Sequence, residues 1–184
     1  MVGDKMNYNK KKSLLFGFLK GIQAEFFGIF IMLFFWAVMK LMGFFANIIF
    51  GFCGAMCVVC VLGDFCIKEG RVAKDKVTLR NDKVSSYFGF LQGLVAGLPS
   101  LIAYILLILS KMGIIGNFLP AFKIINAPFF ALIDIVAHTA DINKAGIALF
   151  IMGIFFPVVY ILSAGITFKI GFDKVDVKEK VMYK

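Results

Sequence analysis

Residues 14–67 read LLFGFLKGIQAEFFGIFIMLFFWAVMKLMGFFANIIFGFCGAMCVVCVLGDFCI. The run is almost continuously apolar and more than twice as long as the roughly 20 residues that one helical crossing of a bilayer needs. It therefore turns once. The best turn lies at residues 40–47 (KLMGFFAN), where a Lys, a Gly and an Asn interrupt the apolar sequence. This reading gives a first span over 21–41 and a second over 44–67, with residues 13–20 a helical lead-in at the interface. Gly70 then stands where a helix C-cap glycine belongs.

The same logic extends outward. Residues 68–86 form a polar linker holding Lys68, Arg71, Lys74, Lys76, Arg80 and Lys83, with an alternating patch at 77–79 that fits a short strand. A third span covers 87–109, kinked by Pro99, and a fourth covers 145–170 with Pro157 inside. Between them, residues 118–137 are apolar but interrupted by Pro120, Lys123, Asn126 and Pro128. The interruptions predict an interfacial or re-entrant helix over 128–138 rather than a fifth crossing. Asn126 marks its start, with Pro128 in the first turn.

The expected architecture is an all-α integral membrane protein with four transmembrane helices arranged as two hairpins, and 1–184 as a single membrane domain. A basic arm and lead-in (1–20) precede the first hairpin (21–67) and the basic linker (68–86). The second hairpin (87–170) carries an insertion at 111–144, and a tail follows at 171–184. The arm opens MVGDKMNYNKKKS, without a small-residue cleavage site before the apolar run, so the first span is expected to be retained.

Composition agrees. Hydrophobic residues make up 61% of the 184, against about 45–50% in soluble domains, and the mean hydropathy is +0.92. The net charge of +9 reflects topology rather than nucleic-acid binding, because the basic residues cluster in the polar segments. All of the twenty Lys and Arg except Lys40, Lys111, Lys123 and Lys144 fall in the arm and lead-in, the linker or the C-terminal end. The positive-inside rule puts those three segments, and both termini, in the cytoplasm of a multi-pass cell-membrane protein. Cys53, Cys57, Cys60 and Cys66 share one apolar segment, which suits reduced packing residues and neither a disulfide framework nor a zinc site.

Glycine spacing suggests how the helices meet. FGFLQGLVAG (residues 88–97) places Gly89, Gly93 and Gly97 on one helix face, and FGFLKGI (16–22) nearly repeats its opening with Gly17 and Gly21. Four-residue spacing of small residues lets helix backbones approach closely. CIKEG (66–70) and TFKIG (167–171) also match, so the hairpins are expected to be parallel repeats about a twofold along the membrane normal, with the third helix packed on the first. Under that repeat Gly97 corresponds to Glu25.

The candidate intramembrane polar site is Gln23 and Glu25 on the first span, Asp64 on the second and Gln92 on the third. Intramembrane ionisable groups are costly and point to function by default. A turn near Gly43 brings Asp64 level with Gln23, and the stripe Cys53, Cys57, Cys60, Asp64 is expected to meet Gly21, Glu25, Gly28 and Met32. Lys20, Lys68 or Arg71 snorkelling to the carboxylates is the structural alternative. On the other side, Asp134, His138 and Asp141 are spaced i, i+4, i+7 about the only His, a weak pattern for a divalent metal that an amphipathic interfacial helix also needs.

No phosphate loop, HExxH or nucleophile triad occurs, so no catalytic residue, metal or cofactor is assigned. The expected function is a non-enzymatic membrane subunit or scaffold that contacts anionic lipid headgroups and a protein partner or a second copy. The alternative is a small proton- or cation-coupled transporter or channel using Glu25 and Asp64.

Overall fold

The computed structural model describes residues 8–173, without the side chains at 35–40, 42 and 80. The described part is helical: α1 (Lys10–Met42), α2 (Phe44–Arg80), α3 (Phe88–Ala96), α4 (Leu98–Lys111), α5 (Leu119–Ile125), α6 (Phe130–Val136) and α7 (Ile147–Phe172), with short 3₁₀ turns at Ala127–Phe129 and Ile142–Lys144. The helices of α1, α2 and α7 are each long and apolar enough to cross a membrane, and two bent pairs, α3 with α4 and α5 with the segment Ala127–Val136, pass the same test as pairs. Of the expected tail 171–184 and the arm, residues 174–184 and 1–7 lie outside the described residues.

The turn between α1 and α2 is made by Gly43 at φ 65°, a left-handed conformation that suits glycine. The second helix then runs much further than expected. Gly70 is interior to α2, whose C-cap is Asn81 at φ 58°, its N–H returning to the Lys76 and Val77 carbonyls. The supposed linker 68–80, including the strand at 77–79, is therefore helix. Its reason is a face the polar composition hid: Cys66, Gly70 and Ala73 are buried at helical spacing and Val77 packs beside them, all against Val84, Phe168 and Phe172.

Four helices form a ring in the order α1, α2, α7, α3. At its lower end, where Tyr8 and Phe172 lie, α2 and α7 run parallel and almost backbone to backbone. A Cβ on Gly70 would strike the Phe168 carbonyl, and one on Gly171 would strike that of Ile67. These reciprocal contacts link the two matched glycines of CIKEG and TFKIG. The reciprocity stops there. Gly17 and Gly21 pack on Gln92 and Ala96 of α3, whereas Gly89, Gly93 and Gly97 pack on Phe168, Ala164, Ile161 and Tyr160 of α7. The glycine face of α3 thus meets α7 rather than α1, and α3 is wedged between both by two neighbouring stripes. A twofold exchanging the hairpins about the α2–α7 crossing would separate α1 from α3, yet these two touch.

The α3–α4 pair bends by 54° at Gly97, with Pro99 in the first turn of α4. The segment after it forms a V. The chain bends by 97° between its arms, and its ends are tied together, since the Asn117 amide donates to the Ala140 carbonyl at 2.6 Å and accepts from the Ile142 N–H at 3.2 Å. Lys111 adds bonds to the carbonyls of Ile142, Asn143 and Ala145. The V enters and leaves at the upper end of the ring. Its apex is held by Asn126, fully buried, which accepts from Ser100 Oγ at 2.5 Å and donates to the Phe122 carbonyl at 3.1 Å. Pro128 then wedges between α1 and α2, where Gly28 and Gly54 leave room that a Cβ at either would fill. The predicted break at Asn126 and Pro128 is present, although α6 ends at Val136 rather than 138.

Candidate functional site

The four expected site residues do not assemble. Gln23 accepts from Lys20 Nζ at 2.7 Å. Asp64 is exposed and pairs one turn on with Lys68 at 2.7 Å. The Cys53, Cys57, Cys60, Asp64 stripe faces outward, with Cys53 and Cys60 exposed and Cys57 half-buried. The face of α2 that enters the bundle is instead Gly54, Val58 and Leu62, buried to 0% at the last two. The rotation of α2 about its axis turns the Asp64 carboxylate away from α1.

Glu25 is drawn inward. It accepts a short hydrogen bond from the Tyr160 hydroxyl of α7, while its second oxygen, Oε2, is inaccessible and lacks a hydrogen-bond partner among the described residues. Tyr160 is fully buried and meets the edge of Phe129 at 6.3 Å. Gly97 lies against the same tyrosine. The two positions matched by the sequence repeat, Glu25 and Gly97, therefore touch one residue that the repeat does not name. Tyr160 is the sole Tyr of α7, a signal the sequence reading passed over.

Gln92 belongs to another cluster, at the lower end. Its Nε2 donates to Ser13 Oγ at 2.6 Å, and Ser13 donates to Glu69 Oε2 at 2.5 Å. The Tyr8 hydroxyl reaches the same Glu69 oxygen at 2.8 Å, and the Tyr8 N–H donates to Asp82 at 2.7 Å. Burial pushes the Tyr8 phenol up from its ordinary value, so it remains a donor throughout the physiological pH range. This cluster ties the start of α1 to the lower part of α2 and the base of α3. Gln92 Oε1 alone is left buried without a partner among the described residues.

At the upper end, the spacing of Asp134, His138 and Asp141 presumed one continuous helix. With α6 ending at Val136, Asp141 instead caps the next turn by accepting from the Asn143 N–H at 2.9 Å. Asp134 lies 3.6 Å from His138 Nδ1 and 3.0 Å from Lys123 Nζ. Lys123, 12% exposed, also donates to the Ala137 carbonyl at 2.7 Å. Among the described residues no group of three His, Cys, Asp or Glu is placed to hold a metal ion. These side chains line an open cavity of about 750 Å³ between the V and the α1–α2 turn.

Fold and site together define an α-helical bundle with several long apolar helices, as suits a membrane protein. Comparison with protein-family models, curated proteins and solved structures finds no match for the chain, so its function is argued from its own residues.

Proposed function

We propose that the chain is a four-span protein of the cell membrane in which the V is a re-entrant hairpin and both termini are cytoplasmic. Lys20 on α1, Lys68 on α2 and Lys169 on α7 mark one boundary, and the apolar lengths between them and the upper end suit a core of about 30 Å. Within that frame the protein acts as a non-enzymatic membrane subunit that presents a fixed cytoplasmic surface to a protein partner. The observation that carries this reading is the helical extension of α2. Residues 68–80 continue it about 20 Å beyond the boundary as a rod clamped by Tyr8, Ser13 and Phe172. The rod leaves Val72 44% and Leu79 81% exposed beside Lys68 and Arg71. Apolar side chains held in water among basic ones suit a partner with an acidic, apolar-centred surface.

Crosslinking from residue 79 in intact membranes tests this. A heteromeric product lost on Leu79→Glu and Val72→Glu supports the reading, whereas a product containing only this chain reassigns the surface to a homo-oligomer. A reporter fused at Lys184 that reads out on the external side removes the topology.

One observation favours a second reading, a proton-coupled transporter: the unpartnered Glu25 Oε2 beside Tyr160 near the apex of the V. Proton-dependent flux in liposomes that Glu25→Gln abolishes supports it. Asp64 has no part in that reading, being outside the bundle.

A further inference from the structure

The upper cavity combines two surfaces that belong together only for one kind of ligand. Its floor is polar. Lys123, Asp134 and His138 stand around it, and Asn47 of α2 faces it with a residue exposure of 7%. The Asn47 side chain lines the cavity, where its amide is open to a ligand. Its wall is apolar, built from Met32, Leu33, Ile124 and Phe130. Leu33, 64% exposed, continues the outward stripe Phe26, Phe30, Phe34 of α1 at helical spacing. The wall is thus continuous with the apolar outer face of the bundle, and the cavity volume is that of a small-molecule site.

The polar groups bear on the charge of the ligand. Asp134 is shared between Lys123 and His138, so the floor's one carboxylate is already engaged. Lys123 uses two donors, on Asp134 and the Ala137 carbonyl, and retains a third. That third N–H and the Asn47 amide N–H groups are the donors left to bind, while the outer nitrogen of a neutral His138 ring, whose Nδ1 is turned to Asp134, is an acceptor. Asp134 stands too close for a dianion to be welcome. We propose that this cavity is a binding site for a single-chain amphiphile with a monoanionic head, a long-chain carboxylate, its head on Asn47 and Lys123 and its tail along Leu33 and Ile124 toward the bilayer.

The test uses the full chain in nanodiscs and a fluorescent long-chain fatty acid, compared with its methyl ester and the matching alkylammonium. Saturable binding of the acid, with the other two weaker by about tenfold, is expected from the loss of one charge-assisted hydrogen bond. Asn47→Leu weakens the acid by a similar factor and leaves the ester unchanged. Ile124→Trp, at a residue 54% exposed on the rim, fills the cavity without touching the core and blocks the acid even where Asn47→Leu fails to fold. Equal binding of all three probes, or binding of the acid indifferent to Ile124→Trp, overturns the proposal. Neither result depends on whether the cytoplasmic rod has a partner.

Discussion

The two ends of the bundle use similar polar residues in opposite ways. At the lower end Tyr8, Ser13, Glu69 and Gln92 are joined in one chain of hydrogen bonds across three helices, and almost every donor and acceptor is consumed in holding them. At the upper end Asn47, Lys123, Asp134 and His138 surround an open space, and part of their capacity is unspent. Polar groups committed to one another give rigidity; those left facing a cavity give recognition. Between them the core is closed by glycine contacts and the V apex.

The contrast is broken most severely at the middle. Gly54→Leu drives a side chain into the Pro128 carbonyl and should expel the V apex, with loss of the monodisperse peak in detergent. Gly116→Leu, where nothing lies within 4 Å, should leave that peak intact. Similar behaviour of the two variants would mean that the apex does not occupy the α1–α2 gap.

A smaller effect separates the ends themselves. Glu69→Ala removes the acceptor for Tyr8 and Ser13 and should cost about 1–3 kcal/mol, seen as a lower melting temperature and faster amide exchange over residues 8–16. Asn47→Leu, which removes no bond to the described residues, should shift melting far less. The smallest effect is expected at Asp64. Its pair with Lys68 is exposed on both sides, and Asp64→Asn should change stability by about 0.5 kcal/mol or less. A shift as large as that of Glu69→Ala would restore Asp64 to the bundle interior.

Much of the architecture was legible because it rests on local chemistry. The apolar lengths, the turn at Gly43 and the break at Asn126 and Pro128 each follow from a few neighbouring residues. The end of the second span was not. A change to charged composition at Lys68 does not mark where the helix stops, because the buried stripe continuing through Ala73 to Val77 keeps α2 intact to Arg80. The glycine partners divide: Gly17 and Gly21 meet α3 as expected, whereas Gly28 admits a proline of the V and Gly89 and Gly93 admit α7.

Glu25 and Asp64 draw the same boundary. Residue order alone establishes a helical chain with several long apolar helices and shows which positions are small enough for contact. Only the tertiary structure decided that Glu25 meets Tyr160 while Asp64 faces out, and that Asn47, Lys123 and His138 share a cavity. The reason is physical. Helix formation is a property of neighbouring residues, whereas the rotation of a helix about its axis is set by the sum of contacts with every helix beside it, and those partners are distant in sequence.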